Sequence, residues 1–459
     1  RRQLLRQFPA HPAALAAALE AGPAPADRLR GALHLARWGP RWPGADARLR
    51  QECGEGATGL SPAQRAQLAT GLAELGDGEA AVTCLSGGGS QVNAALTADA
   101  RLTLGRTLLK GTPERRSQGL ALLAGIPNRW PKSPAAEEAV RLLSRQDGPE
   151  AAAALQKLAP PWRDSPPVLA HRALAAATPA TAEAGGGEPA PAGDPAPLAL
   201  LRRWPDDPAS WDLQWELARL RLLAADWQGA ESLLSAIPAE RLPPPLAARQ
   251  RFWLGMVQRQ QGREEAATTT WRELRLHHPG GYYGWRASMQ LGEGDLALRL
   301  PSRRATAAVR PYGWEPLASG DARLDRLWRL GQSTEAWEVW RHRRGSRTPE
   351  GSADPLLEGR LRQGVGDDWT GLGQLEQASL RLPPERCDLM PQLERSLHPL
   401  RFETAFRQAA AQENLSMALL LGLAKQESRF TPAVRSGVGA VGLMQLMPDT
   451  ASEVAGGPV

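Results

Sequence analysis

The sequence predicts an all-α protein whose larger part is an α-solenoid of paired helices, and three observations predict it. Isoleucine occurs only at Ile126 and Ile237, and tyrosine and phenylalanine are scarce, whereas Ala, Leu, Arg and Glu abound. That bias disfavours sheets and favours helices. Small residues recur at matching places in successive stretches, where they let two helices approach closely, and prolines recur at the ends of those stretches. Each match is weak alone, and the series carries the prediction. A chain of 459 residues exceeds one ordinary domain and predicts about two to four.

The units run in order. Leu68, Gly71-Leu72, Gly76 and Ala80-Ala81 mark an early one, and Leu104-Gly105, Gly119 to Leu123 and Trp130-Pro131 mark the next. Residues 1–176 therefore read as an N-terminal helical repeat region. Residues 177–197 are rich in Ala, Pro and Gly and nearly lack large apolar side chains, which predicts a flexible linker or insertion. Repeats resume over 198–396. Leu217-Ala218, Ala230, Leu234 and Ile237-Pro238 form one unit. Leu254-Gly255, Ala267, Trp271 and Pro279 form another, with Gly262 at its turn, and they fall at tetratricopeptide spacings. Trp253, Trp271 and Trp285 are expected as core wedges. His277 and His278 are adjacent and cannot share a helix face, which argues against a metal site there. Gly345 to Asp354 reads as irregular, and Leu382-Pro383-Pro384 as a break before a last region, 397–459. His398, beside Pro399, is expected at the surface.

Composition bounds the function. The net charge is +6 and the pI about 9.7, which suits an anionic polymer. No zinc-finger or RNA-binding motif accompanies the charge, and no arginine run interleaves with aromatics, so nucleic acid is not the expected partner. Arg341, Arg343, Arg344 and Arg347 form the densest basic cluster and read as a solvated helix end. Cys53, Cys84 and Cys387 have no metal-ligand spacing and make no disulfide framework, although one pair could form. No transmembrane segment and no signal peptide is visible. The first residue is Arg1 and not Met, so export is left open.

The most informative residue is Glu427, in the run Leu419 to Phe430. Leu420, Leu423, Ala424 and Glu427 fall at helical spacing on one stripe. The stripe otherwise faces a core, where a carboxylate shifts its pKa upward or finds a partner. A carboxyl held neutral can act as a general acid. The competing reading places Glu427 at a solvated helix end. Further on, Gly437, Gly439 and Gly442 let the backbone turn sharply. Gln445 offers an amide suited to sugar hydroxyl and N-acetyl groups. Leu443, Met444, Leu446 and Met447 supply an apolar surface, and Pro448 opens a further helix. Asp449 and Glu453, the carboxylates that follow Glu427, read as solvated charges on that helix.

Together, Glu427-Ser428-Arg429-Phe430, Ser436, Gly439-Ala440, Gly442 to Pro448 and Thr450-Ala451 resemble the signature of the soluble lytic transglycosylase family. Tyr282-Tyr283-Gly284 with Leu291-Gly292, and the entry Leu397 to Phe402, resemble other parts of the same family. The resemblance implies a TPR-like superhelical solenoid followed by the N-terminal part of a lysozyme-like domain over 397–459. It implies cleavage of the β-1,4 bond between N-acetylmuramic acid and N-acetylglucosamine in peptidoglycan, with a 1,6-anhydromuramoyl product. Glu427 takes the acid/base position and Ser428 the position that orients it. Ser428, Ser436, Gly442, Leu443, Met444 and Gln445 take substrate-binding positions. No metal or cofactor is implied. The implied partners are glycan strands and other cell-wall enzymes, and the implied place is the periplasm or cell envelope. The family's catalytic domain continues beyond Val459, so the chain reads as C-terminally truncated and is expected to show little activity as it stands. Two alternatives remain: a non-catalytic glycan-binding solenoid scaffold, and a hydrolytic muramidase.

Overall fold

The computed structural model describes the chain except residues 1, 55–58, 87–92, 178–194, 279–280, 294–315, 345–352, 383, 433, 437–438 and 458–459. Every regular element among the described residues is a helix. Among the described residues, extended pairing is confined to the isolated bridges Arg435 to Val441 and Val441 to Leu446. The chain divides into two compact units, Arg1–Leu242 with Leu246–Ala297, and Pro243–Pro245 with Leu298–Val459.

Prolines open helices in this chain more than they close them. Pro62, Pro113, Pro134 and Pro208 stand at first helical positions, where a missing N–H costs nothing. The preceding Ser61, Thr112, Ser133 and Asp207 side chains accept from backbone N–H groups of the first turn. Pro131 and Pro238 also follow the second helices of their pairs, Pro113–Arg129 and Trp227–Leu234, as expected.

The pairs themselves form where the small residues predicted them. Helix Pro244–Gln260 is followed by helix Glu264–His277, with Gly262 at φ +76° between them. Trp271 is 1 % exposed and its indole N–H donates to the Phe252 carbonyl at 3.1 Å. Trp253 and Trp285 are only half-buried; Phe252 is the second fully buried wedge. Helices Ala98–Leu108 and Pro113–Arg129 cross at Gly105 and Gly119, where a Cβ on Gly119 would meet the Gly105 carbonyl oxygen at 2.9 Å. Gly71 makes the same kind of approach to Ala36.

Most of the expected linker, 178–194, lies outside the described residues. Its ends do not: Ala177 closes helix Pro166–Ala177, and Pro195 opens helix Pro195–Arg203. Ala170 and Leu201, on either side of the linker, share one core with Leu213 and Leu217. Of the irregular Gly345 to Asp354 stretch, 345–352 lies outside the described residues, and Asp354 is in helix Ala353–Gly364. Pro279, Pro383 and the side chains of Arg344, Arg347 and Cys387 also lie outside them. Cys53 and Cys84, one of the pairings the sequence left open, form a disulfide across 31 residues.

In the second unit, helices Ala353–Gly364 and Asp368–Arg381 touch through Gly359 and Gly371, each lying where a Cβ would strike the other's carbonyl oxygen. The core on this pair runs from Leu372, Leu375 and Ala378 through Leu393 and Leu397 to Phe406, Ala424 and Phe430. It crosses the boundary expected at 397. Helices Asp368–Arg381 and Met390–Leu397 thus share one core with the Glu427 helix.

Candidate active site

Helix Met417–Ser428 carries Glu427 one residue before its end. Ala424 and Ser428 are fully buried. Met417, Leu420 and Leu421 pack partly against the same core. Leu419 is 54 % exposed, Leu423 42 % exposed, and Glu427 lies on that open side with them. The expected stripe is therefore split. Ala424 looks inward, whereas Leu423 and Glu427, four residues apart, look outward. The carboxylate is exposed rather than on the buried face, and it has no hydrogen-bond or ion-pair partner among the described residues.

Two left-handed residues end the helix. Arg429 has φ +46° and Phe430 φ +60°, a conformation unfavourable for side chains other than glycine. Phe430 is 3 % exposed within the core. The Ser428 hydroxyl donates to the Ala424 carbonyl at 2.9 Å, so in this state it serves the helix and not the Glu427 carboxylate.

The glycine-rich segment forms a tight turn. Val441 and Leu446 exchange backbone hydrogen bonds of 3.0 and 3.2 Å around Gly442 to Gln445. Gly442 has φ +83° and Gln445 φ +47°. The Gln445 amide donates to the carbonyls of Val434 at 3.1 Å and Gly442 at 3.0 Å. Its donors lock the turn here. Leu443 and Met444 are half-buried against the core that contains Ala424 and Phe430. The expected apolar surface is instead supplied by Leu446, 48 % exposed, and Met447, 42 % exposed. The Ser436 hydroxyl accepts from the Ala440 N–H at 2.9 Å and closes its own small loop. Gly437 and Val438 lie outside the described residues. Asp449 and Glu453 are exposed on helix Pro448–Ala455, as expected, and His398 is exposed.

Residues 404–456 match the family model described as the transglycosylase SLT domain. The chain is 27 % identical over 256 residues to the soluble lytic murein transglycosylase of Salmonella typhimurium, covering 54 % of this chain and 36 % of that protein. It is therefore similar to about a third of the length of that curated relative. The chain is thus similar to soluble lytic murein transglycosylases and carries an SLT match at 404–456. Its SLT segment is 52 % identical over 46 residues to a transglycosylase of Enterobacteria phage PRD1, covering 10 % of this chain and 17 % of that protein. A lytic transglycosylase structure from Pseudomonas aeruginosa aligns with 100 % of this chain and 79 % of its own, at 19 % identity and a TM-score of 0.35. No helix among the described residues is long and apolar enough to cross a membrane.

Arg429 is the residue whose role went unread in the sequence. It lay inside the quoted motif, but its partners, Trp369 and Glu376, stand on another helix far away in the chain.

Proposed function

We propose that the full-length protein is a peptidoglycan lytic transglycosylase of the periplasm or cell envelope, with Glu427 as its single acid/base. The observation that carries this reading is the SLT match over 404–456. It encloses an exposed, unpartnered glutamate beside an exposed apolar strip, Leu419 and Leu423.

Glu427 in its acid form protonates the oxygen of the bond between N-acetylmuramic acid and N-acetylglucosamine as the bond from C1 breaks. The substrate's N-acetyl group stabilises the cationic centre. The carboxylate then takes the proton of the muramoyl C6 hydroxyl, whose oxygen bonds to C1. No water is consumed and Glu427 ends as it began. One carboxyl is enough because the substrate supplies the nucleophile, whereas most glycosidases need two. The nearest carboxylates after Glu427, Asp449 and Glu453, are exposed on a later helix, which supports the single-carboxyl scheme. Leu446 and Met447 offer apolar contact to sugar rings, and Ser436 with Gly442 to Gln445 forms the turn that meets the glycan, while buried Ser428 supports the helix end behind Glu427.

The test is product analysis. Full-length protein digesting purified peptidoglycan is expected to release muropeptides with 1,6-anhydro ends, one water lighter than hydrolytic products. Reducing muramic ends would make it a muramidase, and binding of glycan without any release would make it a scaffold.

A further inference from the structure

The C-terminal end of the Glu427 helix is held from outside, by one face of helix Asp368–Arg381. Trp369, Gly373 and Glu376 stand at i, i+4 and i+7 on that helix and so share a face. The Arg429 side chain lies along it. Its guanidinium is 5.3 Å from the centre of the Trp369 ring, one nitrogen donates to the Trp369 carbonyl at 3.3 Å, and another pairs with the Glu376 carboxylate at 2.7 Å. Gly373 leaves the space for it, since a Cβ there would sit 3.0 Å from the guanidinium. Aromatic wall, gap and carboxylate together make a slot shaped for a guanidinium.

The slot matters because of what Arg429 does to the backbone. Arg429 and Phe430 both have positive φ, and such residues persist only where the surroundings over-determine them. Phe430 is fixed by the core and Arg429 by the slot. Glu427 stands two residues before Arg429, at the exposed edge of a helix whose inner edge, Ala424 and Ser428, is buried. The direction in which its carboxyl leaves the helix end depends on how that end is pinned.

We infer that Arg429, seated in the Trp369–Gly373–Glu376 slot, is a positioning residue for the Glu427 carboxyl, so that the last helix pair of the repeat region sets the geometry of the acid/base. The inference rests on the proposed function. It makes the repeat region part of the catalytic geometry and not only a holder of substrate.

The experiment compares four variants of the full-length protein on purified peptidoglycan, with kcat, KM and thermal midpoint read for each. Arg429→Gly suits a left-handed helix end and relieves the backbone. It is expected to keep or raise the thermal midpoint and still lose kcat by about 10- to 100-fold, as small misplacements of a reacting group do, with KM little changed. Gly373→Leu leaves the Arg429 residue itself in place but displaces its guanidinium from the slot, and is expected to give the same split. Arg429→Lys, which can reach Glu376 but cannot also stack and bond the Trp369 carbonyl, should recover part of the loss. Glu427→Gln is the control. If Arg429→Gly and Gly373→Leu keep wild-type kcat while Glu427→Gln is inactive, the positioning role is wrong and the function stands. If Glu427→Gln is active, both fall.

Discussion

Gly255 and Trp271 occupy one another's space: a Cβ on Gly255 would lie 2.4 Å from the Trp271 indole nitrogen. That contact closes helix pair 244–277, and the indole cannot retreat, because it is 1 % exposed and bonded to the Phe252 carbonyl. Gly255→Ala gains helix propensity but forces the helices apart, and overpacking of this kind costs about 1–3 kcal/mol. A lower urea midpoint for the first unit checks it. The reverse pattern is expected at Gly422, where nothing stands within 4 Å, so Gly422→Ala should be neutral or stabilising.

The Cys53–Cys84 disulfide closes a loop with a sequence separation of 31. Chain-entropy reasoning puts its contribution at about 3–4 kcal/mol. Cys53→Ala with Cys84→Ala should lower the unfolding free energy of the first unit by up to that amount. The wild type under strong reductant should fall to the level of the double variant.

His34 and His278 are both held below the ordinary histidine value near 6.5, each first by burial; the Pro9 carbonyl partly offsets this for His34, while Arg251 adds to it for His278. A depressed pKa in the folded state means that the unfolded chain takes up protons first. Their contribution is therefore full above the unfolded value and is lost as pH falls through it toward the folded value. Stability of the first unit should decline as pH falls below about 6.5, the ordinary histidine value. Replacing His34 with Gln should flatten that slope in denaturation curves taken across the range.

Glu358 is a carboxylate with 1 % side-chain exposure in the second unit. It accepts from Arg362 at 3.0 Å, from Gln374 at 2.8 Å and from the Trp340 indole at 3.3 Å. Removing one member of a buried network strands the others. Glu358→Ala should cost about 3–5 kcal/mol, read as a lower thermal midpoint with the first unit unaffected.

Much of the fold could be read from the chain, because small residues at fixed spacing have one physical use. Gly71, Gly105 and Gly255 each lie where a Cβ would collide with a neighbouring helix. The wedges were read less well: periodicity marked Trp253, but the buried ring is its neighbour Phe252. The stripe through Glu427 misled for a related reason. Positions 423, 424 and 427 fall on adjoining parts of a helix, and only the burial of Ala424 and Ser428, the former in a core shared with distant helices, decides which side is open. Gln445 looked like a ligand for sugars, yet its amide is engaged by the turn that contains it. Such contacts depend on tertiary approach, and so does the Arg429 slot, whose parts are more than fifty residues away in sequence. The identity of the segment was legible all the same, since the run from Glu427 to Thr450 falls inside the SLT match.

The central claim is that Glu427 moves the proton at the glycosidic bond, and replacing its carboxyl with an amide tests it most directly. In Glu427→Gln the side chain keeps its size on the exposed edge of the helix, so the fold should hold, but it can neither give nor take the proton. Turnover of purified peptidoglycan by the full-length variant, measured as anhydromuropeptide release, is predicted to fall by about 10²-fold or more with an unchanged thermal midpoint. Release by the glutamine variant at near wild-type rate would contradict the account.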